Sequence, residues 1–257
     1  MKWLRFAHQG RTGFGVLDRD WIAVHQGMLF DHPQPTGERL PLADAQLLAP
    51  CEPRQFFALW NNFKAAAAKN NWVEPTEPLY FLKGANSFSH HLAPVPKPRH
   101  YDGRIIFEAE LAVVIGRAGR DIPLERAAEH VFGYTCVNDV TALEMLHADA
   151  SFAQWTRCKS MDGFTPFGPW IETQVDLSTC QVVARVNGRE RQNYPVSDMF
   201  FSPLELVSRL SRDVTLQPGD VISCGTSIGA MPWQVGATVE VAIEAIGVLA
   251  NPLQVQG

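Results

Sequence analysis

Apolar residues in this chain fall mostly into short runs and alternations of strand length, punctuated by Gly, Pro and Asx. In the first 50 residues WLRF, FGVL and WIAVH predict short strands separated by GRTG and a D-R-D turn. The Pro-rich DHPQPTGERLP then predicts a linker, so residues 1–50 read as a small N-terminal β domain. After Pro53, strand-like FFAL leads into NNFKAAAAKNNW, whose alanines favour a short helix ended by Asn70 and Asn71. From Pro78 onward strands dominate, in PLYFL, RIIFEAELAVVIG, GYTCVND, PWIET, CQVVARVNG, GDVISCG and TVEVAIEAIGVLA. Two helices are predicted among them. In PLERAAEHV, Leu124, Ala127, Ala128 and Val131 share one helical face. In SPLELVSRLS, Ser202 and Glu205 have capping-box spacing, Pro203 suits the first helical position, and Leu204, Val207 and Leu210 form a stripe. The predicted class is α+β, β-rich, with few helices and no repeat.

Composition narrows the function. At 257 residues and 46% hydrophobic, the chain can bury one large core with a small appended domain. Its net charge of −5, without a Lys/Arg run, argues against a nucleic-acid partner. The start, MKWLRFAHQGRTG, lacks the apolar stretch of a secretion signal, and no run approaches the roughly 18 residues of a membrane span. Five cysteines without a C-x-x-C pair fit a reduced, cytoplasmic protein. Cys158 lies between Arg157 and Lys159, which could activate a thiol, but no motif supplies a histidine partner.

The candidate chemistry is acidic. In RIIFEAELAVVIG the flanking residues are β-prone, so Glu108 and Glu110 are expected on one strand, emerging from the same face. Carboxylates inside such an apolar strand need a cationic partner. Arg104 or a lysine could provide it, yet GYTCVND ends in a third acid, Asp139, and three carboxylates suit Mg²⁺, Mn²⁺ or Ca²⁺. His90, His91 and His147 are expected to be solvated, and Trp60, Trp155, Trp170 and Trp233 to be core or pocket walls.

These segments, with KSMDGFTPFGPWI, VNGRERQ, TLQPGDVISCGT and VEVAIEAIGVLANP in the same order, resemble the fumarylacetoacetate hydrolase superfamily from about Pro50 to Asn251. The resemblance implies a mixed β-roll or barrel-like catalytic domain over residues 51–257, with a lid at approximately 60–72, usually in a homodimer. It implies Mg²⁺ or Mn²⁺ on Glu108, Glu110 and Asp139, with Lys159 as a catalytic cation beside the metal. Lys83, Gln154 and Thr226 match substrate-binding positions, although Gly84 stands where a proline usually follows the lysine. The substrate class implied is a small 2-oxo or 2-hydroxy-diene acid, with the metal stabilising an enolate.

One departure bears on the reaction. Hydrolase and decarboxylase members usually carry His and Glu on the lid helix where this chain has Lys64 and Ala67. An imidazole oriented by a carboxylate can deprotonate water near pH 7, whereas an ordinary lysine stays protonated. Lys64 could instead bind a second substrate carboxylate, act as a base if burial strips its proton, or lie exposed. The expectation is therefore an isomerase or decarboxylase type, as for 2-hydroxyhepta-2,4-diene-1,7-dioate in aromatic catabolism. A C–C hydrolase of acylpyruvates is the alternative, and a non-catalytic binding or scaffold protein is the competing class.

Overall fold

A computed structural model describes residues 1–255. Gln256 and Gly257, the end of the predicted 51–257 domain, lie outside the described residues. Strands dominate, as the alternation predicts, and α-helix among the described residues is confined to Lys64–Asn70, Trp155–Lys159 and Pro203–Asp213.

The largest sheet has twelve strands. Its middle is Ala109–Ile115, paired antiparallel with Val131–Asn138 on one side and Val221–Ser223 on the other. Every residue of Ala109–Ile115 is buried, so both faces of this strand are covered, which explains its nearly unbroken apolar run. One face feeds the main core with Ala109, Leu111, Val113 and Ile115. Ala112 and Val114 on the other face join Phe56, Phe167 and Ile171. Beyond Val221–Ser223 the sheet continues through Phe56–Trp60 to an edge strand, Leu79–Leu82. A second sheet of five strands contains Gln181–Val186, Arg189–Pro195, Thr238–Ile243 and Gly247–Val255. TVEVAIEAIGVLA is thus a hairpin rather than one strand.

The N-terminal strands Lys2–His8, Arg11–Asp18 and Trp21–Met28 form a meander around Leu4, Phe6, Ile22 and Leu40. The meander extends the large sheet, because Lys2–His8 pairs with Thr165–Glu172. The predicted linker DHPQPTGERLP is instead the strand Asp31–Pro41, paired with Trp21–Met28. It is the edge of the sheet, and its register shifts twice, which is where prolines can enter a ladder that needs no outward N–H.

Of the two predicted helices, Pro203–Asp213 has its full capping box, with Ser202 accepting from the Glu205 backbone and Glu205 from that of Ser202. PLERAAEHV differs. It winds as a 3₁₀ helix over Leu124–His130, Leu124 is exposed, and Val131 already starts the next strand, whose pairing overrides the helical spacing.

Candidate metal centre and cavity

Glu110 sits on the central strand, opposite Val137, and Asp139 follows directly after Asn138 on the neighbouring strand. Glu108 is placed differently from the single-strand expectation. The chain leaves one sheet at Phe107, which pairs with Met231, and enters the large sheet at Ala109, so Glu108 occupies the crossing between them. Its backbone is clasped there, since Glu108 N–H donates to Asn138 Oδ1 (3.0 Å) and Asp139 N–H to Glu108 O (2.9 Å). Candidate ligand oxygens of Glu108, Glu110 and Asp139 all lie within 4.8 Å of one another.

Two lysines reach the same cluster. Lys159, the last residue of Trp155–Lys159, donates to Asp139 Oδ2 (2.7 Å) and to Glu108 Oε2. Lys83, just beyond Leu79–Leu82, is fully buried and donates to Asp139 Oδ1 (2.5 Å) and Phe164 O (3.2 Å). Gly84 N–H donates to Ser160 Oγ (2.9 Å), tying the two lysine segments together through a bond that proline has no N–H to make. Arg104 plays no part, being paired with Glu144 at the surface.

The electrostatics follow from burial. Desolvation raises Asp139, but Lys159 and Lys83 outweigh it and hold its carboxyl below the usual range. Desolvation also opposes charge on Lys159, and there Asp139 and Glu108 win and raise its pKa. For Lys83 burial prevails over Asp139 and lowers it. Glu110, also buried, is the member of this cluster without a lysine partner. Its Oε2 accepts from Ser223 Oγ (2.5 Å) and Gly225 N–H (3.0 Å), and among the described residues no ammonium bonds to it. Burial, then Asp139 and Glu108, push its pKa well up. In formal charge, three carboxylates meet two ammoniums, an excess of one negative charge beside an all-oxygen donor set, and a cation there would favour the charged form of Glu110 that burial disfavours. That arrangement fits a hard divalent cation.

The cluster opens into a cavity of about 520 Å³ lined by Glu108, Glu110, Lys159 and Thr226 at its polar end. Thr226 donates to Ala109 O (2.9 Å) and accepts from Gln192 Nε2 (2.9 Å). Gln192 and Tyr194, which donates to Ala109 O, are residues that the sequence did not single out. They alternate with exposed neighbours on Arg189–Pro195, an otherwise polar strand, so only the period-2 pattern hinted at a buried side. Asn61 and Ser227 also line the cavity, and each keeps a buried oxygen without a partner among the described residues.

Other expected site residues lie elsewhere. Lys64 begins the helix Lys64–Asn70, is exposed, and is not among the cavity lining, so the burial a lysine base would need is absent. Ala67 is buried away from the cavity. The lysine of this helix that lines the cavity is Lys69, beside Asn70. Gln154 caps the Trp155–Lys159 helix and donates to Phe152 O (3.1 Å), outside the lining. His147 lines the cavity, while His90 and His91 are half-buried and His91 Nδ1 accepts from Ala250 N–H. Trp60 and Trp155 are cavity walls, whereas Trp233 is core. Cys158 is buried, and desolvation pushes its thiol up to about 11, the opposite of an activated nucleophile.

Residues 55–254 match the family model described as fumarylacetoacetate (FAA) hydrolase C-terminal, and residues 1–50 match one described as Rv2993c-like, N-terminal. The crystal structure of 5-carboxymethyl-2-hydroxymuconate delta-isomerase from Mycobacterium smegmatis is 36% identical, covers all of both chains and superposes with a TM-score of 0.92. The 4-hydroxyphenylacetate degradation bifunctional isomerase/decarboxylase of Salmonella dublin is 37% identical over 200 residues, 77% of this chain and 46% of that protein. Maleylpyruvate hydrolase from Sphingobium sp. SYK-6, solved with manganese(II) ion and pyruvate, is 25% identical across all of both chains, with a TM-score of 0.80.

Proposed function

Because the chain belongs to the fumarylacetoacetate hydrolase family, we propose that it is a Mg²⁺- or Mn²⁺-dependent enzyme that carries a small 2-oxo or 2-hydroxy-diene acid through its enolate, in an isomerase or decarboxylase reaction. The observation that carries this reading is the trio Glu108, Glu110 and Asp139, within 4.8 Å of one another and one formal negative charge in excess of its two lysines, with Glu108 and Glu110 lining the end of a cavity. A bound divalent ion supplies Lewis acidity toward the carboxylate and oxo oxygens of such an acid. The protein's own groups supply the rest. Lys159, fixed between Glu108 and Asp139 yet lining the cavity, holds a positive charge beside the place where enolate charge develops. Lys83 stays out of the cavity and keeps Asp139 ionised. The aromatic walls Trp60, Phe81 and Trp155 offer no group to activate water, which favours proton shifts and loss of CO₂ over hydrolysis.

The C–C hydrolase reading draws on His147, an imidazole in the cavity wall that could activate water in place of the missing lid pair. A single panel separates these reactions. The purified protein with Mn²⁺ is incubated with oxaloacetate, an acylpyruvate and 2-hydroxyhepta-2,4-diene-1,7-dioate, and products are followed by ultraviolet absorbance and chromatography. Tautomerisation or CO₂ release without acylpyruvate cleavage is expected. If all three stay unchanged, the binding or scaffold class gains and the enzyme reading falls. We further propose a cytoplasmic homodimer, which light scattering tests by returning twice the chain mass.

A further inference from the structure

Beyond the polar end, the cavity wall is aromatic, and its rings are attached to the same elements that carry the lysines. Trp155 and Lys159 are four residues apart on one helix, so they share a face about one turn apart. Phe81 and Lys83 are two apart along extended chain, which also puts them on one side. The two rings stack at 5.0 Å with a 19° interplanar angle. Trp60 meets Trp155 edge-on at 6.1 Å. Lys159 Nζ lies 5.4 Å from the centre of the Phe81 ring, so the ring wall begins where the charged cluster ends. Trp60, Phe81 and Trp155 are only half-buried, leaving aromatic surface open to the cavity.

We propose that Trp60, Phe81 and Trp155 form an aryl subsite, and that the acid bound here is a 2-oxo acid carrying an aryl group one or two carbons from its head. The inference rests on the metal-held oxo-acid reading of the polar end. A head fixed at the carboxylates brings an apolar tail within one helical turn of these rings, the aromatic side of the cavity wall. A planar aryl group covers indole and phenyl faces best, through burial of apolar area and offset or edge-on ring geometry.

Calorimetric titration of the full chain with Mn²⁺, using oxalate, pyruvate and phenylpyruvate, tests it, with tryptophan fluorescence followed in parallel. Oxalate and pyruvate should bind, phenylpyruvate should bind at least tenfold tighter than pyruvate, about 1.4 kcal/mol, and should perturb the indole emission more. The preference should fall below threefold in both W155L and W60L, two variants that check one another should either fail to fold. If oxalate and pyruvate bind but phenylpyruvate binds no tighter, or if folded variants keep the preference, the aryl subsite is overturned and the metal reading stands. If neither oxalate nor pyruvate binds with Mn²⁺, the metal reading itself fails and the aryl subsite goes with it.

Discussion

At and behind the polar end of the cavity, Lys83, Glu108, Glu110, Asp139 and Lys159 come from four separate stretches of chain and meet through directional bonds among largely buried side chains. At the other end, Trp60, Phe81 and Trp155 meet through ring contacts, with Lys69 and Trp72 at the exposed rim. The two ends differ in how an error propagates. A charged group lost from the first leaves another charge buried and unpaired, whereas a ring lost from the second leaves a gap that neighbours or water can fill. Under the proposed function, the polar end fixes the class of reaction and the aromatic end can vary to set which acid is accepted.

The comparison breaks most sharply at Asp139. Asp139→Ala strands Lys83, which is fully buried with no other carboxylate bonded to it among the described residues, and leaves Lys159 with Glu108 alone. Removing one partner from such a network destabilises by about 3–5 kcal/mol. Urea unfolding should show that loss together with loss of turnover. A drop below about 1 kcal/mol would mean that the lysines have support not seen in these bonds.

Metal removal comes next in size. An ion binding only the folded chain, at a hundred times its Kd, stabilises by about 2.7 kcal/mol. In a domain of this length that corresponds to a melting temperature roughly 5–10 °C higher with Mn²⁺ than with chelator. Glu110→Gln should remove most of that increment, because an amide replaces the one carboxylate of the trio to which no lysine bonds. An identical melting curve with and without Mn²⁺ would dismiss the metal centre.

How much of this was legible in the sequence follows the same division. The acids stood out because carboxylates in a β-prone apolar stretch demand an explanation, and the structure does gather Glu108, Glu110 and Asp139. The capping box at Ser202 was readable because both bonds join residues three apart. What could not be read depends on distant partners. The break at Glu108 exists because Phe107 pairs with Met231, and nothing local marks it. The strand Asp31–Pro41 forms only because Trp21–Met28 offers an edge that tolerates proline. Gln192 looks like a surface residue until Ala109 and Thr226 are brought beside it. The short helix expected in NNFKAAAAKNNW forms over Lys64–Asn70, with left-handed Asn71 at its end and left-handed Asn61 ahead of it, yet composition cannot say which of its lysines lines the cavity.

That last point yields the smallest effect and tests the aromatic end on its own ground. Lys69 lines the cavity rim and Lys64 does not, although both sit on Lys64–Asn70. An exposed ion pair is worth only about 0.2–1 kcal/mol, so Lys69→Ala should weaken an acid with a second, distal carboxylate by at most about fivefold. The loss should shrink at high salt, as expected for a screened contact. Phenylpyruvate, which has no distal charge, should bind Lys69→Ala as it binds the native chain, and Lys64→Ala should leave both ligands unchanged. Titration of the two variants with a mono- and a dicarboxylate reads all four cases. Should Lys64→Ala weaken the dicarboxylate instead, the helix must turn its other end inward when the acid binds, and the rim assigned to Lys69 would be wrong.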